Sequence, residues 1–533
     1  MRMTGPRAVA ALALVVVLMV AAAVALRSGS GPEAPPGPPP NQIVPDQLVA
    51  RLATEALGRA PRQDEWQRAT EYFRARGCTA DSVAGYAADV YGGGEFESLG
   101  YDAVERAIAL YRGVLAREPD PDGLSSVATQ LRDGREWADV VGGVLGSEEL
   151  RGRLVPAICS PDSPAYGPVA DAPPPDVAPV GEGFSGDQAA LQQALNQAAP
   201  DGTVTLARHA IVRLSSILRI PAGVTLTTAG DPSPERYASM GRLVRAGPSA
   251  EGIDPVMIDL GAGARLQSVW VDAGRDWIGS PTRSAVSVRI NADGGAVEDS
   301  KLSEPLGGGN LFVSGPQFGV PCRTAEVRGN LLTSYSSEHT QGRWADGISV
   351  ACEETTVEGN AVIDATDVAI ILYRVPGGRQ ASVVADNVVV AAGRSAYGAL
   401  AADPLTGAGE TWSFEGSEVR DNTLWTGART HVDIGLAAGT REWFGGDAAK
   451  GTGASFTGNT TGALAIRSTY PIAVGGMLDA TVQQNRLRGL PSDPLPCPPA
   501  PVAASLADGW ASGSIQGPVT NLPLSGCFGE GLH

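Results

Sequence analysis

The chain has 533 residues, too many for one ordinary domain unless part of it is an array of repeats. Its formal net charge is −18 and its isoelectric point is near 4.7. This acidity argues against nucleic acid as a partner, because phosphate binding requires a net basic surface, and against a large patch for anionic lipids.

Residues 1–27 predict export. A basic start, with Arg2 and Arg7, precedes an uncharged apolar run from Ala8 to Leu26. The run has transmembrane length, so a cleaved signal peptide and an uncleaved membrane anchor are both open interpretations. Either one places the rest of the chain outside the cytoplasm, secreted or anchored by this segment, which is then the only contact with a membrane.

Two Pro-rich stretches, 28–44 and 160–183, predict extended linkers on either side of residues 45–159. Between them the apolar residues have helical spacing, and the sequence is duplicated at an offset of 58 residues, so that 52–61 matches 110–119. We therefore predict a small all-α domain of two repeats. The linker 160–183 further predicts that this domain folds separately from the C-terminal region and that proteases cut there first.

The second repeat has the more distinctive sequence, in residues 110–124, 130–134 and 146–150. It resembles the helical domain of unknown function of bacterial exoproteins that is related to phycobilisome linkers. The resemblance implies a cell-surface or exoprotein context and no particular chemistry.

From residue 184 to 490 the chain changes character. A short amphipathic helix is predicted over 187–198, and after it come short β-branched runs separated by Gly, Asp and Asn. An apolar residue followed three positions later by Asn or Ser recurs every 26 to 37 residues. The members of this series are Val297–Ser300, Val327–Asn330, Val357–Asn360, Val384–Asn387, Val419–Asn422, Phe456–Asn459 and Val482–Asn485.

A strand-built period of this length predicts a solenoid, and two or three short runs per repeat are too few for a propeller blade. Stacked turns bury a continuous aliphatic core, and the recurring Asn tolerates a sharply bent corner and bonds to the Asn above it. The predicted fold is therefore mainly β: a right-handed single-stranded parallel β-helix over 184–490, with a C-terminal tail or cap over 491–533.

This pattern, with a capping helix ahead of the strands, resembles the pectate-lyase-like β-helix superfamily. The resemblance implies a polysaccharide or a cell-surface glycan as the partner, and its members include lyases, hydrolases, epimerases, esterases and non-catalytic adhesins. The sequence motifs of its polygalacturonases, classical pectate lyases and alginate epimerases are absent.

Polar residues recur at one slot of the predicted turns. With the turns aligned on the Asn series, this slot holds Asn310, Asp346, Asp367, residues 395–397 and His431. Adjacent turns would place Asp346 and Asp367 about 5 Å apart at the backbone. Paired carboxylates act as acid and base, or as nucleophile, on a glycosidic bond. We predict Asp346, Asp367 and His431 as catalytic residues.

The predicted substrate-binding residues are Asn310, His339, Arg343, Arg374 and Tyr397. His339 and Arg343 lie in a long segment, 334–345, that is expected to form a wall of the groove. In a lyase, His431, Tyr397 or Arg374 is the candidate base. No metal site is assigned, but calcium held by the carboxylates is an alternative, and ordinary corner chemistry of Asp is the competing interpretation.

Six cysteines in an exported chain predict disulfides. Cys322 and Cys352 each lie five residues before a head of the series, so they occupy the same slot on consecutive turns, within bonding range. The pairs left over are Cys78 with Cys159 and Cys497 with Cys527.

Two functions remain open at this point. The first is an exported polysaccharide lyase or glycoside hydrolase that acts on an acidic or cell-envelope polysaccharide. The second is a non-catalytic cell-surface glycan-binding or adhesion protein, with the helical domain as a spacer or docking unit.

Overall fold

The structure is a computed structural model that describes residues 42–163, 165–166, 173–247, 256–278, 282–314, 322–339, 343–491, 502–504, 511–515 and 519–521. The predicted export segment, most of the first linker and the predicted Cys497–Cys527 bridge lie outside the described residues. No helix in the described part of the chain is long and apolar enough to cross a membrane.

Helices come first along the chain. They are α1 Asp46–Arg51, α2 Gln63–Arg76, α3 Ala80–Tyr91, α4 Gly94–Ser98, α5 Ala103–Leu110, α6 Pro121–Arg132, α7 Trp137–Leu145 and α8 Val155–Ile158. Wider π-helical turns run over Leu52–Ala56, Tyr111–Leu115 and Glu149–Leu154. The remaining helical segments are α9 Gln188–Ala198, α10 Arg275–Ile278, α11 Arg441–Phe444 and the 3₁₀ turns Pro234–Ser239 and Gly445–Asp447.

The two helical repeats share a left-handed turn and the ion pair that comes after it. Gly58 and Ala116, 58 residues apart, both adopt the left-handed conformation, with φ of 63° and 55°. The next residue in each repeat is an arginine that binds a glutamate: Arg59 Nε lies 2.6 Å from Glu95, and Arg117 Nε lies 2.7 Å from Glu149. The offset of 58 that the sequence indicates therefore holds at the left-handed residue and its arginine, whereas the partner glutamates are 54 residues apart.

Three sheets of parallel strands form the β-helix. Sheet 1 contains β1 Thr203–Leu206, β4 Thr225–Thr228, β7 Arg265–Gln267, β10 Ala296–Glu298, β13 Glu326–Arg328, β16 Thr356–Glu358, β19 Val383–Ala385, β22 Thr411–Ser413, β23 Glu418–Arg420, β26 Lys450–Thr452, β27 Ser455–Thr457, β29 Met477–Gln483 and β32 Ala511–Ile515. Sheet 2 contains β2 Ile211–Leu214, β5 Arg242–Arg245, β8 Trp270–Asp272, β11 Lys301–Ser303, β14 Leu331–Thr333, β17 Ala361–Ile363, β20 Val388–Ala391 and β24 Thr423–Thr426. Sheet 3 contains β3 Leu218–Ile220, β6 Val256–Leu260, β9 Thr282–Ile290, β12 Gly307–Val313, β15 Asp346–Val350, β18 Val368–Tyr373, β21 Ala396–Asp403, β25 Val432–Ala438, β28 Ile466–Val474, β30 Gly489–Pro491, β31 Val502–Ala504 and β33 Val519–Asn521.

The register of sheet 1 confirms the repeat. The seven apolar heads pair with one another in sequence order, from Val297 with Val327 to Phe456 with Val482. The Asn residues that come after them form a continuous ladder: the side-chain amide of Asn330 donates to Asn360 at 2.9 Å, and the last step, from Asn459 to Asn485, is 2.8 Å. The ladder satisfies buried corner groups that water cannot reach.

The interior is aliphatic and is closed at one end by α9. Its Leu191 and Leu195 are fully buried against the first turns, as the capping interpretation predicts. Asp187 caps this helix by accepting a hydrogen bond from the Ala190 amide at 2.9 Å.

A disulfide joins Cys322 to Cys352 across consecutive turns, with Cα atoms 5.0 Å apart, and another joins Cys78 to Cys159. Both pairs agree with the prediction.

In sheet 3 the alternation of inward and outward side chains is interrupted at the same place on neighbouring turns, along a line that we call the crease. There, two neighbouring residues face the interior, as Ala369 with Ile370 and Ala399 with Leu400 do. The residues on either side, such as Val368 and Ile371, face outward. Because each strand folds over this line, outward side chains three positions apart converge, and the outer face of sheet 3 is creased.

The helical segment lies on the outer face of sheet 2. Its contacts run from the first turns, where Arg208 binds Glu105 at 2.6 Å, to the last, where Gln63 donates to the Thr461 carbonyl at 2.9 Å. Buried aromatic residues of both parts, including Tyr237, Trp270 and Trp425, belong to one shared core. Separate folding of the two parts stays a prediction, but they meet along most of the length of the solenoid.

Charged side chains are buried in the middle of this interface. Glu55 lies 2.6 Å from Lys301 and 2.8 Å from Arg112, and all three are almost fully buried. Three more residues extend this network: Glu118, Arg242 and Asp272. Arg112 forms an ion pair with Glu118, and Arg242 forms ion pairs with Glu118 and with Asp272. The network balances three carboxylates with three cations.

Candidate active site

Asp346 stands at the crease of sheet 3. It begins β15, and the bend of that strand brings the Ser349 hydroxyl to donate a 2.5 Å hydrogen bond to its Oδ2. The backbone amide of Val368 on the next turn donates to its Oδ1 at 3.1 Å, and the Tyr373 hydroxyl lies 3.5 Å from Oδ2. Asp346 is only 3% exposed, and burial raises the pKa of its carboxyl to about 6.

Two more aspartates lie on the following turns of the same face. Asp367 directly precedes β18, and Asp403 ends β21 in register with Tyr373. Burial, followed by the charges of Asp346 and Asp403, raises the pKa of Asp367 well above its usual range. Burial likewise raises the pKa of Asp403 to about 6, and the backbone amide of Leu405 donates to it at 2.6 Å.

These three carboxyls have no cationic partner among the described residues, since neither Asp346, Asp367 nor Asp403 forms an ion pair there. Arg374, the arginine that acts electrostatically on Asp403, lies 2.9 Å from Glu410 and stacks on Trp412 at 4.5 Å. No ion-paired cation therefore lowers the raised pKa values of these three carboxyls.

Imidazole and phenol side chains flank the carboxyls. The row of outward residues that holds Asp367 and Tyr397 continues to Asp433, two positions beyond His431. His431 Nε2 lies 2.9 Å from Asp433, and His339 Nε2 approaches the other oxygen of that carboxylate to 3.6 Å. The His339 ring packs on Tyr397, with 4.1 Å between ring centroids.

The pKa of Asp433 moves the opposite way from those of the three aspartates. Burial opposes its ionisation, but hydrogen bonding and charge from His339 and His431 outweigh burial and lower its pKa. Asp433 thus holds the two imidazoles in place, while burial and the charges of Asp367 and Asp433 raise the pKa of Tyr397.

The other predicted substrate-binding residues lie elsewhere or are engaged. Asn310 is fully buried and donates to the Ser334 hydroxyl at 2.9 Å, so its amide belongs to the corner. Arg343 is more than half exposed and pairs with Glu338 at 3.0 Å. Of the predicted set, the structure brings together Asp346, Asp367, Tyr397, His339 and His431.

Four residues of this face were not predicted: Ser349, Tyr373, Asp403 and Asp433. Asp403 and Tyr373 lie at the far ends of their strands and reach the site because the strands bend. In β18, β21 and β25, two small or aliphatic residues stand side by side where strict alternation would place one polar residue. This recurring pair is the sequence signal that could have identified the four residues.

The carboxyls do not form a ready calcium cage. Among the described residues, one group of three metal-ligating side chains has its ligand atoms within 4.8 Å of one another. It consists of Asp102, Glu105 and His209, in the helical interface. There Glu105 already accepts hydrogen bonds from Arg208 and Ser239. Neither place supplies the converging free oxygens that calcium requires, so no step is assigned to a metal.

A short loop covers one part of the creased face. Its helix α11 places Trp443 over Gly398, where a Cβ atom would lie 3.2 Å from the indole ring. Val368 on β18, Ile434 on β25 and Tyr470 on β28 complete this apolar cluster. The loop therefore bounds the open part of the crease beside Asp367 and Tyr397.

Comparison with known proteins finds β-helices among solved structures. An endo-xylogalacturonan hydrolase from Aspergillus tubingensis superposes over 64% of this chain and 92% of its own, with 15% identity and a TM-score of 0.39. An alginate lyase from Paenibacillus sp. covers 53% and 95%, with 15% identity and a TM-score of 0.30. An alpha-1,3-glucanase from Streptomyces thermodiastaticus covers 66% and 68%, with 13% identity and a TM-score of 0.35.

At these identities the likeness concerns the fold alone. No family model matches the sequence, and no curated protein matches it. The chain is a parallel β-helix protein by its own three sheets, and its chemistry has to be argued from its own residues.

Proposed function

We propose that the protein is a glycoside hydrolase that cleaves a polysaccharide along the creased outer face of sheet 3. The observation that supports this most is a group of three aspartates with raised pKa values and no cationic partner in the described part of the chain. Asp346 and Asp403 are buried, and Asp367 is partly exposed. Glycosidic bonds are cleaved by two carboxyl groups whose environments keep one protonated and one ionised.

The roles follow from the order of the pKa values. We assign the general acid to Asp367, because burial and the charges of Asp346 and Asp403 raise its pKa well above its usual range; it donates a proton to the glycosidic oxygen as the bond breaks. Asp346 or Asp403, with pKa values of about 6, is ionised near neutral pH and activates water or attacks the anomeric carbon. Ser349 orients the Asp346 carboxylate, and Tyr397 with His339 provides a ring surface beside Asp367.

The charge of this face favours hydrolysis over β-elimination. A lyase must neutralise the uronate carboxylate, commonly with a cation, and the described residues provide none in contact with the three aspartates. Three carboxyls also repel a polyanion. A neutral glycan is therefore the expected substrate class, narrower than the acidic polysaccharides that the sequence also allowed. A purely binding face has no need of three neighbouring carboxyls with raised pKa values.

The test is incubation of the purified protein with neutral and acidic polysaccharides, with measurement of both reducing ends and unsaturated products. Changing Asp367 to Asn should lower turnover by about 10²- to 10⁴-fold, the usual contribution of a general acid, with the fold retained. Asp386→Asn is the matched control, because Asp386 is a largely exposed corner residue with φ of 55°, a conformation that Asn tolerates.

Reducing ends without unsaturated products, lost in Asp367→Asn and retained in Asp386→Asn, would support the proposal. Unsaturated products would instead indicate a lyase. Equal rates in wild type and in the Asn variants of Asp346, Asp367 and Asp403 would contradict the assignment of this face.

A further inference from the structure

The segment 334–345, beside the proposed active site, is attached to the helices. Tyr335, two residues beyond β14, is fully buried, and its hydroxyl lies 2.7 Å from the hydroxyl of Thr54 in the first π-helical turn. The guanidinium of Arg51, at the end of α1, lies over the Tyr335 ring at 4.1 Å from the centroid. The helical segment therefore holds one side chain of this segment in place.

The same segment is bonded to Thr366, the residue that precedes Asp367. The Thr366 hydroxyl donates to the Ser337 hydroxyl at 3.0 Å and accepts a hydrogen bond from the Ala345 amide at 3.1 Å. The Ala345 carbonyl in turn accepts hydrogen bonds from the amides of Thr366 at 3.0 Å and of Asp367 at 3.1 Å. Both sides of the segment thus meet at Thr366, and the far side binds the backbone of Asp367 directly.

These contacts form a route of four hydroxyl residues that leads from the helices to Asp367: Thr54, Tyr335, Ser337 and Thr366. All four residues are fully buried. Ser337 donates to the Ser334 carbonyl at 2.8 Å, which leaves its oxygen free to accept from Thr366. Because water does not reach these groups, a hydroxyl that loses its partner has no replacement, and its neighbours on the route have to adjust.

We propose that the helical segment contributes to the proposed reaction by positioning Asp367 through Tyr335, Ser337 and Thr366. This inference rests on the proposed function, which makes Asp367 the general acid. The three residues of the route are positioning residues, since all are fully buried and none is placed to touch a substrate. A general acid works only within hydrogen-bond reach of the leaving oxygen, so a small displacement of its backbone lowers the rate.

A second contact between the same two parts of the molecule has no such route. The Tyr101 hydroxyl, in the helical segment, donates to the Glu235 carbonyl at 2.6 Å. Tyr101 is buried as well, but Glu235 lies between β4 and β5, before the turns that hold the three aspartates. Loss of this hydroxyl should lower stability without any effect on the acid. Tyr101→Phe is therefore the matched control for Tyr335→Phe.

The test compares four variants of the full protein: Tyr335→Phe, Thr54→Val, Ser337→Ala and the control Tyr101→Phe. The measurements are kcat and KM on the polysaccharide that the wild type cleaves, together with denaturant unfolding. Tyr335→Phe and Thr54→Val should each lower kcat about two- to tenfold, the usual contribution of one hydrogen bond, with KM unchanged. Ser337→Ala, which lies nearer to Asp367 on the route, should lower kcat at least as much.

The pH–rate profile separates positioning from stability. Looser packing of the segment 334–345 admits water beside Asp367, and because burial is the main cause of the raised pKa of Asp367, that pKa should fall. The basic limb of the profile should therefore move to lower pH in Tyr335→Phe and in Ser337→Ala. It should stay in place in Tyr101→Phe, whatever stability that variant loses.

The double variant Thr54→Val with Tyr335→Phe tests the first step of the route. Both single changes break the same bond, so the double variant should match the single variants in kcat. Losses of kcat that add would mean that the two residues act separately, which would contradict the inference. So would a Tyr335→Phe variant that loses as much stability as Tyr101→Phe but keeps the wild-type kcat and basic limb, since the contact would then be structural only.

A wild type that cleaves no glycan would refute the proposed function, and the route would still be tested. The infrared carbonyl band of protonated Asp367 should then titrate at lower pH in Tyr335→Phe than in wild type and Tyr101→Phe. An unchanged titration of that band, or its absence from the wild type at every pH above 5, would overturn the inference as well.

Discussion

Two groups of buried carboxylates in the described part of the chain have opposite electrostatic surroundings. At the interface between the helices and sheet 2, Glu55 and Glu118 contact Lys301, Arg112 and Arg242. Burial opposes the ionisation of Glu118, but Arg242 and Arg112 lower its pKa to about 2. On the crease of sheet 3, Asp346 is equally buried, has no cation beside it among the described residues, and its pKa is raised to about 6.

The difference in surroundings distinguishes carboxylates that stabilise the fold from carboxyls that are suited to a reaction. A buried carboxylate with its full set of cations is held ionised and fixes the position of two packed parts. A buried carboxyl without a cation destabilises the folded protein when it ionises, and such an arrangement persists where a reaction needs a proton held near neutral pH. Substitutions in the two regions should therefore change stability with opposite signs.

The largest effect is expected from Glu55→Gln. The change removes the anion that Lys301 and Arg112 share. Burial already lowers the pKa of Lys301 to about 7, so Lys301 loses its proton without Glu55 and Arg112 keeps a buried charge with one partner fewer. The free energy of unfolding should therefore fall by about 3 to 5 kcal/mol. Denaturant unfolding measures this. The control is Glu97→Gln, which breaks the half-exposed pair with Arg106 and should lower the free energy of unfolding by less than about 1 kcal/mol. Equal losses would mean that the interface network does not hold the two parts together.

Asp346→Asn should have the opposite sign. The folded-state pKa of Asp346, about 6, lies above its ordinary value of 3.8, so the folded protein binds the proton more tightly. The stability this provides is complete below about pH 4 and is lost as the pH rises through about 6. At pH 7.5 the neutral amide should therefore stabilise the protein by about 2 kcal/mol, and at pH 4 the variant and wild type should be nearly equal.

The interface predicts the reverse dependence. Because the pKa of Glu118 is lowered from 4.5, its contribution is present above about pH 4.5 and is lost as the pH falls toward 2. Thermal unfolding from pH 3 to pH 8 separates the two regions. A destabilised Asp346→Asn variant at pH 7.5 would mean that this carboxylate has a stabilising partner after all.

The smallest effect is expected from Ser349→Ala. This change removes the 2.5 Å hydrogen bond that lowers the pKa of Asp346, so that pKa should rise further. If Asp346 acts in its ionised form, the acidic limb of the pH–rate profile should move to higher pH, with less than about a tenfold change in the maximal rate. An unmoved limb would assign the ionised role to Asp403.

The sequence predicts the solenoid well because every turn must bury the same kind of apolar side chain and bend at the same corner. Val297 to Val482 fill one interior position, the Asn residues after them close one corner, and Cys322 and Cys352 follow from the same register. Such periodic features need only neighbouring turns, which is why residues 30 apart in the chain are enough to find them.

The site and the interface depend on contacts that the repeat period of the sequence does not predict. Asp403 and Asp433 enter the site because sheet 3 bends where two residues in succession face the core, and strict alternation places them elsewhere. Glu55 and Lys301 are 246 positions apart and unremarkable as single residues. Only the packing of the helices on sheet 2 reveals that they are partners.

The central claim, that the crease holds a proton near neutral pH, is tested most directly by difference infrared spectroscopy of wild type and Asp367→Asn. At pH 7 the wild-type spectrum should contain the carbonyl band of a protonated carboxylic acid that the variant lacks. A carboxylate band in its place at pH 7 would contradict the account, because Asp367 would then already be ionised and unable to act as the acid.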